Sequence, residues 1–403
     1  MKPWLSLLWL GLPLALPAME QRLTLRDGGA VARNSSIEVP AFDPATFKLK
    51  PKPLFESDWQ ALQQHSLRYD GSLGGSEGLR LEWNLLATLD LQSHASPLPP
   101  PLQPSGRSAV LQHRFLGQPG EQLDAEADQL ALRWQSERWN AALGRQSVNL
   151  GENFYFSPLD LFLPFVAQQS YRDFRPGVDA LRATYSPSAF SLVELIAVVG
   201  YAPLALGTNT SDQPLDLDGD HGRGSLLLRG KAGGQLWSGT LLAGRVRQEE
   251  LLGLAGQLEL AGASWTLEEL QAQSLVQADG AAESQRVELT LGLARQVNAW
   301  SNLRAEFNWT LGRQGGQDQA RSQACLSDNL QVGPLLTLGP ALFWYPVDRN
   351  AAASLVADLS VSDQSVLEMG LYAPILVPGQ DGPGNSPVEL APHSFSLELR
   401  TVL

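Results

Sequence analysis

The densest set of chemistry-bearing side chains lies between residues 144 and 182. Arg145, Asp160, Arg172, Asp173, Arg175, Asp179 and Arg182 bring charges of both signs into one window. Opposed charges at that density do one of two things. Across a narrow aqueous passage they set up a transverse field that acts on passing solutes. On a folded loop they tie the chain down by charge-assisted hydrogen bonds. Spacing alone leaves both open.

Bond-making chemistry has little to work with. Gly74-Gly75-Ser76-Glu77-Gly78 matches the nucleophile-elbow pattern, but that turn needs a strand before it and a helix after it. Here strand-like alternation lies on both sides. His65, His94, His113, His221 and His393 show no spacing suited to a zinc site or a serine–histidine pair. Asp216, Asp218 and Asp220 resemble the start of a calcium loop, yet Gly219 comes one position early and no glutamate stands at the twelfth place. A solvated acidic turn is the simpler reading; a surface loop that weakly binds Ca²⁺ or Mg²⁺ is the alternative. Cys325 is the sole cysteine, which excludes a disulfide framework and a multi-thiolate metal site. No enzymatic activity and no cofactor are expected.

The element that carries the charged window is expected to be a strand ending at Arg145, a connection of about 30 residues, and a strand returning near Gly177. Phe154, Tyr155, Phe156, Leu161, Phe162, Leu163, Pro164 and Phe165 make that connection too apolar to stand in water. It is expected to fold into an enclosed space, or across its mouth, and to narrow it.

The strands around it read plainly. Leu79, Leu81, Trp83, Leu85, Ala87, Leu89 and Leu91 alternate with Arg80, Glu82, Asn84, Thr88 and Asp90. Leu303, Ala305, Phe307, Trp309 and Leu311 alternate with Arg304, Glu306, Asn308 and Thr310, and Val287, Leu289, Leu291 and Leu293 with Arg286, Glu288 and Thr290. A last run sets Phe395, Leu397, Leu399 and Leu403 against Ser396, Glu398 and Arg400. Period two over 11 to 13 residues, at about 3.3 Å per residue and a tilt near 45°, spans an apolar band of about 25 Å. Strands are expected at 62–70, 79–91, 108–117, 128–136, 138–146, 177–186, 189–201, 223–231, 235–247, 250–261, 264–275, 285–297, 301–312, 329–338, 341–347, 353–361, 365–374 and 393–403.

That is an all-β transmembrane antiparallel up-and-down barrel of about 18 strands, with 16 as the alternative. Loop parity favours eighteen: the long connections 147–176, 202–222, 313–328 and 375–392 fall outside, and tight turns near Pro187, Gly233, Asn298 and Asp363 inside. The proline-rich stretch 92–107 falls on the inner side and dissents. Trp83, Trp134, Trp139, Trp237, Trp265, Trp300, Trp309 and Trp344, in or beside these strands, suit interfacial girdles.

Three regions are expected: 1–18 a secretory signal peptide, 19–60 a periplasmic extension, and 61–403 the barrel. Trp4 to Leu16 is an apolar run too short for the roughly 20 residues of a spanning helix. Pro40, Pro44, Pro51 and Pro53 with Lys48, Lys50 and Lys52 mark the extension. Formal net charge is -13, with 29 Lys and Arg against 42 Asp and Glu, which excludes a nucleic-acid partner. An acidic surface suits the bacterial outer membrane, where divalent cations bridge it to lipopolysaccharide. A mean hydropathy of -0.12 is consistent with strands that average an apolar and a polar face.

Gly144-Arg145-Gln146, Gly151, Phe156-Ser157-Pro158-Leu159-Asp160 and Arg175-Pro176-Gly177-Val178-Asp179-Ala180-Leu181-Arg182 resemble the GRQ, G, F-x-P-x-D, R-x-G block of bacterial outer-membrane porins and alginate-export-like barrels. The resemblance covers about 40 residues strongly and implies a barrel fold without naming a cargo. Such barrels finish on a C-terminal strand read by the barrel-assembly machinery, usually closed by Phe or Trp; Leu403 departs from this. The leading expectation is a channel for passive diffusion of small hydrophilic or amphipathic solutes, with Arg80, Glu82, Arg133, Arg286, Glu288, Arg304, Glu306, Glu398 and Arg400 on its wall. An export barrel for an acidic polysaccharide is second, and a non-conducting structural or adhesive barrel third. Nothing in the sequence decides between monomer and trimer.

Overall fold

The computed structural model describes residues 19–33, 38–43, 48–53, 59–75, 77–92, 106–118, 120–162, 175–201, 223–274, 285–314, 317–347, 349–375 and 393–403. The expected signal peptide, Arg172, Asp173 and the three aspartates 216, 218 and 220 lie outside them.

The strands are β1 (Met19–Arg33), β2 (Glu38–Asp43), β3 (Lys48–Pro53), β4 (Trp59–Gly74), β5 (Gly78–Gln92), β6 (Gln112–Gln118), β7 (Glu121–Gln135) and β8 (Trp139–Gln146). They continue as β9 (Val178–Ser188), β10 (Ser191–Val198), β11 (Ser225–Gly233), β12 (Trp237–Val246), β13 (Glu249–Leu260), β14 (Ala263–Ser274) and β15 (Gln285–Asn298). The remainder are β16 (Ser301–Gln314), β17 (Gln317–Ser327), β18 (Leu330–Gln331), β19 (Leu336–Tyr345), β20 (Asn350–Ser362), β21 (Ser365–Ile375) and β22 (His393–Val402). All but the separate hairpin β2–β3 join one antiparallel sheet of 20 strands. The sheet closes on itself, because β1 pairs with β4 on one edge and β22 on the other. Among the described residues β18 continues β17, and β6 covers the length of β7 beyond the end of β8. Twenty strands therefore fill eighteen positions, not sixteen.

Three expectations are corrected here. Residues 19–33 belong to the barrel and not to a periplasmic extension: each pairs with β4, Leu25 for example with Leu67, and ten also pair with β22. Short-range composition hid this, because prolines crowd the segment that follows β1. Residues 313–328 are no external loop; most of them form β17, paired with β16 from Arg304↔Ser327 to Gln314↔Gln317. The expected strands 329–338 and 341–347 belong to β18 and the single strand β19. Adding β1 and reading 108–117 as the filler β6 puts Gln92, the last residue of β5, at the long-loop end; the proline-rich stretch that follows lies outside the described residues.

The outward face follows the alternation. Leu79, Leu143, Leu226, Leu228, Leu241, Leu291, Phe307, Trp309 and Leu397 are exposed on it. Exposing such a belt to water costs about 25 cal/mol per Å²; lipid removes that cost, and closure leaves no strand edge unpaired in hydrocarbon. Trp134, Trp139, Trp237, Trp265 and Trp300 are exposed beside the short turns at one end, an interfacial girdle. The protein is a transmembrane β-barrel of the bacterial outer membrane.

Candidate functional site: a loop latched inside the barrel

After β8 the chain turns into the barrel. Val148, Leu150, Leu159 and Phe162 form one buried cluster with Val178, Ala180, Ile196, Val198, Leu227, Leu242, Leu251, Ala255, Leu270 and Ala272. Every wall member of that cluster has the strand parity opposite to the exposed Leu181, Leu195, Leu226, Leu241, Leu252 and Leu267, so the cluster is on the lumen side. Phe156 and Tyr155 pack on Cys325, Ala341, Phe343, Tyr345 and Ala352 further round. Residues 147–162 thus line much of the inner wall. Two wall glycines leave room for them: a Cβ on Gly253 would strike Leu159, and one on Gly292 would strike Asn153 and Thr266.

Turning a loop into a barrel strands its backbone N–H groups away from water, where each unpaired donor is costly. Two wall carboxylates accept them. Glu268, fully buried on β14, accepts from the N–H groups of Glu152 at 2.6 Å, Asn153 at 2.5 Å and Leu159 at 3.2 Å, and from Ser157 Oγ at 2.7 Å. Glu306 on β16 accepts from the N–H groups of Phe154 at 2.8 Å and of Tyr155 and Phe156 at 2.9 Å. Lys231 on β11 meets Glu152 at 2.8 Å. The loop and the two carboxylates satisfy one another, since a buried carboxylate is tolerable only when its oxygens are hydrogen-bonded.

The charges of the 144–182 window fall differently from a single constriction ring. Arg145 is 1% exposed, donates to Asp179 at 2.8 Å and to the carbonyls of Ala127 at 3.1 Å and Ser108 at 2.7 Å, and so cannot touch a solute. In register Arg145 stands opposite Asp179, and the 106–108 segment that both bond lies against the lumen-side cluster, since a Cβ on Gly106 would meet Val178 and Val198. Asp179 also accepts from the N–H of Ser108 at 2.6 Å. Both therefore fasten the wall to the 106–108 segment, the tie-down role that the spacing had left open beside a constriction; a buried guanidinium needs all its partners nearby. Asp160 and Arg175 pair with each other. Burial pushes the Asp160 carboxyl above its ordinary range, and the Arg175 guanidinium opposes that. Arg182 has lumen parity and donates to Glu194 at 3.0 Å, a carboxylate shared with Thr184 at 3.1 Å and Arg229 at 3.5 Å.

The expected wall residues lie at lumen-facing register positions. Arg80 and Arg133 flank Glu82 at 3.6 and 3.3 Å, and Arg286 meets Glu288 at 2.8 Å and Glu249 at 3.6 Å. Glu398 meets Arg26 at 3.7 Å, and Arg400 stands opposite Arg26 in register. Arg304 lies 4.4 Å above the Phe154 ring of the loop. Glu306 is on this wall too, with its oxygens taken up by the loop's N–H groups.

Reading the sequence passed over Glu268, Glu194, Arg229, Lys231 and Glu152. The signal was available in part: Glu194, Arg229 and Glu268 are charged residues at lumen parity inside strands already delimited. The apolar lumen positions Ile196, Leu227, Leu242 and Leu270 had no such signal, since they have a reason only once the loop lies over them.

Replacing Arg145 by Met is expected to lower the barrel's unfolding free energy by about 3–5 kcal/mol, because Asp179 and two carbonyls lose a buried donor. Guanidinium titration of the detergent-folded protein reads this as an earlier midpoint; an unchanged midpoint would show that Arg145 is not a fastening.

No family model matches the sequence, and no curated protein matches it. Solved structures do. OccK11 (OpdR) of Pseudomonas aeruginosa superposes with a TM-score of 0.53 at 13% identity, covering 96% of each chain. OccD3 (OpdP) of the same organism gives 0.54 at 11%, covering 95% of this chain and 91% of that one. A BenF-like porin from Pseudomonas fluorescens gives 0.55 at 9%, covering 96% and 99%. At these identities the likeness is one of fold: the chain folds over nearly its whole length as these outer-membrane barrels do.

Proposed function

We propose that the protein is a porin-like channel through which small hydrophilic or amphipathic solutes diffuse passively, narrowed by the 147–162 loop. The observation that carries this reading is the latch on Glu268 and Glu306, which holds the loop against one side of the lumen by its own backbone. A loop held that way restricts a passage without needing to move. The remaining wall presents both signs of charge, with Arg80, Arg133, Arg182, Arg229 and Lys231 on one arc and Asp358, Glu368 and Glu398 in register on adjacent strands of another. Such an arrangement orients dipolar and charged solutes. The fold shared with a BenF-like porin supports the same reading.

Export of an acidic polysaccharide ranks below it. A polymer needs an uninterrupted bore rich in arginine, and here a loop fills part of the lumen and acidic groups share the wall. The likeness to alginate-export-like barrels is carried by the 145–182 window alone. Reconstitution into planar bilayers and into liposomes with sugars of graded size tests the proposal. Discrete conductance steps and swelling that falls off with sugar size are expected; neither steps nor swelling would leave a non-conducting barrel.

A further inference from the structure

The outer face is dented where β10 to β13 reach the end that carries the long connections. Gly200, Gly224 and Gly244 border the dent, Val199 and Leu226 supply its apolar flank, and Arg245 with Glu250 its polar flank, around about 790 Å³. The packing requires two of the glycines: a Cβ on Gly200 would collide with the backbone at Arg223 and Gly224, and one on Gly244 with the carbonyl of Leu226. Arg245 pairs with Glu250 in register, on the parity of the exposed Leu241 and Leu252, so it faces lipid and not the lumen.

The turn that follows carries a second exposed cation. Arg247 has φ 56°, a left-handed conformation that non-glycine residues seldom take. Its N–H donates to Ser225 Oγ at 3.1 Å, and its carbonyl accepts from Arg245 Nε at 2.7 Å. Arg245 and Arg247 are both exposed, two residues apart in the chain, on the rim of an apolar belt. A charge facing hydrocarbon is tolerated only at headgroup depth, where the available anion is phosphate.

We propose that this dent binds a phosphorylated lipid of the outer leaflet, of lipopolysaccharide type, with Arg245 and Arg247 on the phosphate and an acyl chain against Val199 and Leu226. Guanidinium groups match phosphate by paired hydrogen bonds. Glycine at 200, 224 and 244 keeps the wall low enough for the first carbons of the chain to pass. Glu250 is the acidic neighbour and weakens the site, while Glu249 is engaged by Arg286 at 3.6 Å.

Native mass spectrometry of the full chain in detergent, titrated with bisphosphorylated lipid A, counts bound lipid. Arg245→Gln and Arg247→Gln are each expected to weaken binding about fivefold, and about 25-fold together, with Glu250→Gln tightening it. Arg295→Gln, on an exposed position at the other end of the barrel, is expected to bind as the unmodified protein does. Strand circular dichroism of each variant separates lost binding from lost fold. Equal binding by the double arginine variant, equal binding of dephosphorylated lipid A, weaker binding by Glu250→Gln, or displacement by inorganic phosphate at the lipid's own concentration would each overturn the proposal. Because the dent lies outside the lumen, its loss is expected to leave conductance unchanged, so this test and that of the channel fail separately.

Discussion

Replacing Glu268 and Glu306 together by alanine is expected to turn a quiet channel into a noisy one of larger mean conductance. The double change removes the acceptors of six loop N–H groups and of the Ser157 hydroxyl. A hydrogen bond to a charged group contributes about 1.5–3 kcal/mol, and a buried donor left unsatisfied costs about 1–3 kcal/mol. Even at the low end, with the contributions far from additive, the loop's docking weakens by something on the order of 5 kcal/mol. Apolar packing of Leu150, Phe156, Leu159 and Phe162 opposes this at about 1.5–3 kcal/mol per side chain. The two are of similar size, so the loop is expected to sample released states without leaving for good. Single-channel records measure this directly as current noise and substates. Gln at both positions, which keeps one acceptor oxygen on each, is expected to be intermediate. Records indistinguishable from the unmodified protein would mean that the carboxylates do not hold the loop.

Deleting residues 150–172, with a short glycine–serine bridge from Asn149 to Asp173, is expected to have the larger effect on conductance. The deletion takes out Leu150, Leu159 and Phe162, which cover the lumen-facing Ile196, Leu227, Leu242 and Leu270, and Phe156, which packs on Cys325, Ala341 and Phe343. Conductance follows open cross-section, so a rise of roughly two- to fourfold is expected, with the sugar size limit in swelling assays moving up alongside it. The same deletion exposes an apolar wall and two buried carboxylates to water. A less stable barrel is therefore expected, by several kcal/mol on the scale of lost burial, and the measurement belongs in lipid at low denaturant. Unchanged conductance with an intact barrel would sink the claim that this loop narrows the passage, whatever else it does.

Much of this protein was legible one strand at a time. Alternation such as Leu303, Ala305, Phe307, Trp309 and Leu311 against Arg304, Glu306 and Asn308 determines which face meets lipid, because a pleated strand has period two and lipid admits only apolar side chains. The apolar content of residues 154 to 165 likewise required an enclosed position for that loop. Strand number came out at eighteen although its members were partly different. β1 and β17 went unrecognised, β19 was divided, and β6 was counted as a wall strand. The reason is physical: Leu23, Leu25 and Val31 alternate weakly across Gly28 and Gly29, and β17 carries mostly small and polar residues, so their strand character comes from the neighbours they bond to.

The site depended on tertiary structure far more. Glu268 and Glu306 look alike along their strands, each one lumen-parity acid among several, and nothing nearby in the chain marks them as partners of residues 152 to 159, more than a hundred positions away. Arg145 and Arg182 look alike too, yet one is sealed beneath the 106–108 segment and the other reaches the lumen, because β8 ends one residue after Arg145 while β9 continues past Arg182. A sequence states which side chains carry charge and which face of a strand they share. Whether a charge lines water, anchors a loop or is buried in the wall depends on what the closed barrel brings against it, and the charged window at residues 144–182 divides among all three.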